Sequence, residues 1–336
     1  MLRVIAEIRE KAKGADAKIV LPEGEDIRVL KAVDYMNREG LVDTILLGSK
    51  EKIAALSAQN NLKLDGSEII EPSSSEHLQD YSQKLYEVRK AKGMSLDEAK
   101  KLLTEKPVYF AAMLVNEKRA DGFVGGAVHT TRDVARSALY CIGLDPKAGT
   151  MSSSFIMAMD DDSFGEQGIL IFADCAIVPK PSPKQLCNIA ISASDLMQAL
   201  FKTQPRIAVL SFSTKGSGAT PDTENLLKAV EKVRELRPDL LIDGELQGDA
   251  ALIPEVAKRK SPGSPIGGRA NILIFPNLEA GNIAYKLTQR LAKTRALGPL
   301  LHGVLAPCSD LSRGCSADDV IDVVCVTALR CAHTKA

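Results

Sequence analysis

The chain is 336 residues long, 45% hydrophobic and 26% charged, and its 43 Lys and Arg balance 43 Asp and Glu to a formal charge of zero. That length and apolar content exclude a disordered chain and leave room for about two domains, each with its own core. Neutrality argues against a broadly basic surface for nucleic acid or anionic membranes, and the absence of Trp, with aromatics at 4%, argues against base stacking.

Runs rich in Val, Ile and Leu, bounded by Gly, Pro or Asp, alternate with stretches of helical period. After a mixed charged and apolar opening from Met1 to Lys13, a strand is expected over 18–21, a helix over 27–37 and a strand over 44–47. Helical periodicity follows over 76–90, 96–103 and 108–118, then a strand at 122–124 and a helix over 131–141. The second half reads as strand 168–172, helix 182–201, strand 206–211, helix 223–236, strands 240–242 and 271–275, helix 279–291, strand 302–305 and helix 317–329. Such alternation predicts an α/β fold with mainly parallel sheets.

Two places break the pattern, Gly143-Leu144-Asp145-Pro146 and Leu297-Gly298-Pro299, and both are expected to be joints. The reading is then a discontinuous first domain, 1–146 plus 298–336, and a second of 147–297, with a cleft between two lobes. Seven Cys, an odd number with no C-x-x-C pair, read as reduced buried thiols and neither a disulfide framework nor a zinc site. No apolar run reaches the ~20 residues of a membrane span and no leader pattern is recognised, so a cytoplasmic location is expected.

No G-x-G-x-x-G follows a strand, and Walker, H-E-x-x-H and G-x-S-x-G patterns are missing, which removes the usual support for dinucleotide, NTPase, zinc-protease and hydrolase readings. His77, His129, His302 and His333 lie far apart and favour no His-based or metal site.

One segment stands out: Asp310-Leu311-Ser312-Arg313-Gly314-Cys315-Ser316-Ala317-Asp318-Asp319, between an expected strand and helix. A helix N-terminus with a hydroxyl, a guanidinium and backbone donors beside it suits a phosphate or an oxyanion. The same residues also read as ordinary capping, with Ser316 as N-cap and the two Asp in the first turn.

Several Arg lie on apolar helix faces. Arg89 shares a face with Leu78 and Leu85, and Arg290 with Ile283 and Leu287; each either snorkels, pairs with a core carboxylate, or faces an anion. Arg132 and Arg136 stand at i and i+4, with Asp133 within reach of Arg136. The loops 213–218 (Ser-Thr-Lys-Gly-Ser-Gly) and 243–249 (Asp-Gly-Glu-Leu-Gln-Gly-Asp) read as turns, with a weak phosphate-cradle reading for the first.

Taken in order, Leu21-Pro22-Glu23-Gly24, Phe172-Ala173-Asp174, Ser213-Thr214-Lys215-Gly216-Ser217, Asp243-Gly244-Glu245-Leu246-Gln247, Phe275-Pro276-Asn277-Leu278-Glu279-Ala280-Gly281-Asn282 and Asp310-Leu311-Ser312-Arg313-Gly314 closely resemble the phosphate acetyltransferase (phosphotransacetylase) family over nearly the whole chain. Departures are small: Cys308-Ser309 precedes the last motif where many relatives carry Val-Asn, and Gly248 follows Gln247 where a bulkier residue is common. The resemblance implies a two-lobed fold similar to the isocitrate and isopropylmalate dehydrogenases, a homodimer joined through the second domain, and the reaction acetyl phosphate + CoA ⇌ acetyl-CoA + phosphate. It also implies small-molecule partners only, no metal, and coenzyme A as substrate with no tightly bound cofactor. Carried over, the catalytic positions are Ser312, Arg313 and Asp319, and the substrate-binding ones Arg89, Arg136, Arg290, Ser312 and Arg313.

Acyl transfer from a phosphate anhydride to a thiol needs a thiolate, an electrophile held in line and a stabilised oxyanion. In this scheme Asp319 takes the thiol proton, Ser312 and Arg313 donate to the oxyanion or phosphoryl group, and the other Arg hold acetyl phosphate. Reference values of ~3.9 for Asp and ~8.5 for a thiol make complete transfer in water uphill by roughly 6 kcal/mol, so burial, nearby cations or concerted attack must close the gap. Alternatives are an acetyl-enzyme on Cys315, a phosphate butyryltransferase, a metal- and NAD-dependent decarboxylating dehydrogenase on the same fold, and a non-catalytic CoA or phosphoester module.

Overall fold

The computed structural model describes residues 2–335, which form two compact units, Arg3–Leu144 together with 304–335, and Asp145–Gly303. The first unit opens with α1 (Arg3–Ala12), β1 (Lys18–Leu21), α2 (Ile27–Glu39), β2 (Asp43–Leu47), α3 (Lys50–Gln59) and β3 (Glu68–Ile70). It continues through α4 (Leu78–Arg89), α5 (Leu96–Glu105), α6 (Pro107–Asn116), β4 (Gly122–Gly125) and α7 (Thr131–Ser137), which runs on into a π-turn over Ala138–Ile142. The second unit contains β5 (Ser152–Ala158), β6 (Ile169–Ala173), α8 (Pro183–Phe201), β7 (Arg206–Leu210), α9 (Pro221–Leu236), β8 (Leu241–Leu246), α10 (Gly248–Leu252), α11 (Pro254–Lys260), β9 (Ile272–Ile274), α12 (Leu278–Leu291) and β10 (Arg295–His302). The chain then returns to the first unit as β11 (Cys308–Asp310) and α13 (Ala317–Lys335).

The first unit is an α/β layer on a parallel sheet ordered β3-β2-β1-β4-β11. Its inner strands β1, β4 and β11 are short and almost wholly buried, which is what helices packed on a parallel sheet require, whereas the edge strand β3 is only partly covered. α6 and α13 bury most of their surface, and both pack on β1 and β4. α1 is fastened to α13 by Arg9, whose buried guanidinium donates to Asp322 Oδ1 at 2.7 Å and Asp318 Oδ1 at 3.0 Å. α2 starts where the Asp26 side chain accepts from Arg28 N at 2.8 Å, and ends at Gly40, whose φ of 61° a residue with a Cβ rarely adopts.

From β1 the chain steps outward to β2 and β3, then crosses back to place β4 on the other side of β1. The order therefore reverses between β1 and β4, and the loops after their carboxyl ends, at Glu23 and Gly126, flank the crevice where such sheets bind ligands.

The second unit's sheet runs β10-β5-β6-β9-β7-β8; β5 is antiparallel to both β10 and β6, while β6, β9, β7 and β8 are parallel. Phe155, Phe172, Leu273, Phe275 and Tyr285 lie in its core, with Phe155 stacked on Tyr285 at 4.1 Å between ring centroids.

Several elements depart from the sequence expectation. Leu297-Gly298-Pro299 is no joint: it lies inside β10, where the register against β5 shifts between Leu297 and Leu300 and so absorbs the proline. The strand expected at 302–305 is only the end of β10, and the next strand along the chain, β11, begins at Cys308. β5 escapes notice because its first half is three serines, all buried. Neither α1 nor α3 was expected, although Ser49 caps α3 by accepting from Lys52 N at 3.4 Å.

Candidate active site

The 310–319 segment leaves the carboxyl end of β11 and turns into α13. Ser316 is the N-cap: its Oγ accepts from Asp319 N at 3.2 Å, and Asp319 Oδ2 accepts in return from Ser316 N and Oγ, both at 2.8 Å. This reciprocal arrangement holds the Asp319 carboxylate at the mouth of the helix, next to the loop with Ser312 and Arg313. Both of those residues are exposed. Ser312 Oγ accepts from Gly314 N at 3.2 Å, which leaves its O–H to donate outward. Cys315, between them and the helix, is buried, and burial pushes its thiol up to about 11 although the Arg28 guanidinium pulls the other way.

The loop is pinned from behind by Arg28, at the start of α2. Its Nη1 donates to the carbonyls of Arg313 at 2.7 Å and Cys315 at 3.2 Å, and its Nη2 to the carbonyl of Ala127 at 2.8 Å and to Asp26 Oδ2 at 2.7 Å. One guanidinium thus ties the loop after β11 to the loop after β4.

That second loop is organised by Glu23. Its Oε1 accepts from the backbone N–H of Gly126, Val128 and His129 at 3.1, 2.8 and 2.8 Å and sits 2.9 Å from His129 Nδ1, while Oε2 accepts from Ala127 N at 2.7 Å. Burial alone would raise this carboxyl; the His129 ring and backbone donors outweigh it and hold Glu23 below the usual carboxylate range. A nest of N–H groups at the switch point is therefore filled by the protein's own anion.

Beside it, Asp310 is 1% exposed; its Oδ2 accepts from Thr131 Oγ1 at 2.6 Å, and Oδ1 faces Gly126 and the Leu311 backbone. Burial pushes Asp310 up to about 7.

α7, which starts at Thr131, carries Arg136, exposed in its last turn. Asp133 does not neutralise Arg136 as the spacing allowed: it accepts from Lys106 Nζ at 2.6 Å and Thr130 Oγ1 at 3.0 Å. Arg89 ends α4 with its guanidinium 3.7 Å from the centroid of the Tyr140 ring, in the π-turn after α7, so it neither snorkels nor pairs with a core carboxylate. Arg89 and Tyr140 line a cavity of about 580 Å³ with Lys92, Lys101, Lys106 and Glu98. Arg290 belongs to the second unit, exposed at the end of α12. Its face is not the buried one: Ile283 and Leu287 are 59% and 53% exposed, and the residues that α12 buries are Gly281 and Tyr285.

The loop 213–218 does not present its donors to a ligand. Ser213 Oγ and Gly216 N both donate to the buried Glu245 Oε1 at 2.8 Å, and Lys215 is paired with Asp243. The two motifs after β7 and within β8 are bonded to each other, although Asp243 Oδ2 and Glu245 Oε2 stay buried without a hydrogen-bond partner.

Glu23, Arg28 and Tyr140 were not singled out individually from the sequence. Glu23 and its partners are some hundred residues apart, and only the Leu21-Pro22-Glu23-Gly24 turn after a strand could have pointed to it. Among the described residues no cluster of three His, Cys, Asp or Glu is placed to hold a metal ion, and no helix is long and apolar enough to cross a membrane.

Residues 3–328 match the family model described as Phosphate acetyl/butaryl transferase. The phosphate acetyltransferase of Thermoanaerobacterium thermosaccharolyticum is 47% identical over 329 residues, spanning 98% of this chain and 99% of that protein. That of Bacillus subtilis is 42% identical over 328 residues, spanning 98% and 99%. A phosphotransacetylase structure from Streptococcus pyogenes superposes with a TM-score of 0.90 at 40% identity over 98% of each chain. The 4-hydroxythreonine-4-phosphate dehydrogenase of Klebsiella pneumoniae is similar in fold alone, with a TM-score of 0.53 at 10% identity over 94% of this chain and 99% of that one.

Proposed function

The chain belongs to the phosphate acetyl/butaryl transferase family, and from that premise we propose how its residues do the work. It is an acyltransferase that moves an acetyl group reversibly between coenzyme A and phosphate. In the proposed route the CoA thiolate attacks the carbonyl carbon of acetyl phosphate in a ternary complex. The S–C bond forms, the C–O bond to phosphate breaks, and the thiol proton passes to Asp319. The Ser312 hydroxyl donates to the developing oxyanion, and Arg313 with Arg136 meets the phosphoryl charge, Arg favouring two-point contacts, while Arg89 is assigned to substrate binding. Arg290 is assigned to substrate binding. CoA enters as a substrate, and none of these steps calls on a tightly bound cofactor.

The observation that supports this reading is the capping arrangement at α13: it fixes an acid, with an outward hydroxyl and an unburied guanidinium a few residues away, on one turn at the carboxyl end of β11. The experiment is thioester formation from acetyl phosphate and CoA by wild type and Asp319→Asn, with the fold checked by circular dichroism. A loss of about 10²-fold or more in kcat is expected, and an unchanged rate removes Asp319 as the base.

We also propose a homodimer in the cytoplasm, joined through the second unit. Ile283, Leu287 and Leu291, 59%, 53% and 79% exposed, form one apolar stripe along α12 of a kind that suits burial against another surface. Light scattering of Leu287→Lys is expected to show a monomer, and a persisting dimer would place the contact elsewhere.

A further inference from the structure

Arg89 is held in an unusual way for a cation that is partly buried. Its Nε is buried without a hydrogen-bond partner, and its guanidinium carbon lies 3.7 Å from the Tyr140 ring centroid. A carboxylate partner would consume the N–H donors and cancel the charge. An aromatic face does neither: it attracts the cation through its π-cloud and leaves the in-plane N–H groups pointing away from the ring.

The platform is itself fixed. Tyr140 packs against Tyr109, with ring centroids 6.3 Å apart and planes tilted by 55°, and Tyr109 is 3% exposed. Tyr140 sits in the π-turn Ala138–Ile142, and such turns inside α-helices are frequent at functional sites. The same continuous element carries Arg136 one turn earlier, so the backbone of α7 sets the spacing between two guanidinium groups. The adjoining cavity has Lys92 and Lys101 on its wall together with Glu98, Glu105 and Lys106, the last already paired with Asp133; it is larger than acetyl phosphate needs and has room for a long polyphosphorylated substrate.

We propose that Tyr140 is a positioning residue for the transfer reaction: its ring face seats Arg89 so that the guanidinium edge meets the phosphates of CoA. The proposal rests on the reading of Arg89 as a substrate-binding residue.

Steady-state kinetics of Tyr140→Phe, Tyr140→Leu and Arg89→Ala, alongside thermal melting, tests both. Tyr140→Phe keeps the face and is expected to stay within about twofold of wild type. Tyr140→Leu is expected to raise the KM for CoA about tenfold with kcat within about twofold and the melting temperature little changed, since a desolvated cation–π contact is worth about that factor. Should the Leu variant melt early, Tyr140→Met, similar in bulk and without a ring, takes its place. An unchanged KM for CoA in the ringless variant, with a raised one in Arg89→Ala, overturns the role of Tyr140 alone. An unchanged KM in Arg89→Ala overturns the reading of Arg89 first. A Phe variant as impaired as the Leu variant would assign the effect to the hydroxyl and also overturn the proposal.

Discussion

Thr131 and Asp310 join two elements of the candidate site: the hydroxyl at the start of α7 donates to the carboxyl at the end of β11 over 2.6 Å. The helix with Arg136 and the loop with Ser312 and Arg313 therefore share one anchor. Asp310 is almost fully buried, and its proton uptake near neutrality makes that anchor sensitive to pH.

The sign follows from linkage. Asp310 holds its proton up to about 7 in the folded chain, whereas an unfolded Asp releases it near ~3.9. Its contribution to stability is full below the unfolded value and is lost as pH rises to about 7, by up to roughly 4 kcal/mol in all. Asp310→Asn carries no such titration. Its melting temperature relative to wild type is expected to rise between pH 5 and pH 8, and a pH-independent difference would contradict this assignment.

Glu23 has the opposite sign. Its carboxyl is held low in the folded chain, so its contribution is present above the unfolded value of ~4.3 and is lost as pH falls through the folded one. Glu23→Gln presents an amide NH₂ to backbone donors that need an acceptor. Urea unfolding at pH 7 is expected to show a loss of about 3 kcal/mol, with the gap to wild type closing in acid. A variant as stable as wild type would mean that the 126–129 loop keeps its shape without the charge.

Gly126 meets the same cluster from the other side. Its φ is 109°, and a Cβ there would lie 2.0 Å from Asp310 Oδ1 and 2.7 Å from Leu311 N. Gly126→Ala is expected to lose at least about 3 kcal/mol, or to fail to accumulate as soluble protein. Gly248→Ala, whose Cβ would meet nothing within 4 Å, is the control, and denaturant midpoints should differ from wild type by no more than about 0.5 kcal/mol.

Cys315 is placed where an acetyl-enzyme route would want it, two residues after Arg313, but its thiol is pushed up to about 11 by burial. At neutral pH only about one molecule in ten thousand would carry the thiolate. Cys315→Ala is expected to keep kcat within about threefold. A loss of a hundredfold with the fold intact would restore the covalent route.

Much of this was legible from residue pattern alone. Ser316 reads as an N-cap because a hydroxyl precedes two acids and an apolar helix, and it is one. Arg89 shares a face with Leu78 and Leu85, and both of those leucines are buried as the spacing predicts. The same argument misled for Arg290, because the periodicity of Ile283 and Leu287 says that a face is apolar and not that this chain covers it. What stayed hidden was pairing at a distance: Glu23 with Gly126–His129, Arg28 with the Arg313 carbonyl, and the Arg89 partner Tyr140. Those depend on which loops the sheet order brings side by side. Serine-rich β5 and the proline in β10 were lost for a local reason, since burial by neighbouring strands overrode their weak strand propensity.

The acid at the reversal of strand order also restricts where an incoming anion can dock. The N–H groups of Gly126, Ala127, Val128 and His129 already hold the Glu23 carboxylate, so that turn has no donors left over for a guest, and a phosphate arriving there must be met by side chains instead of backbone.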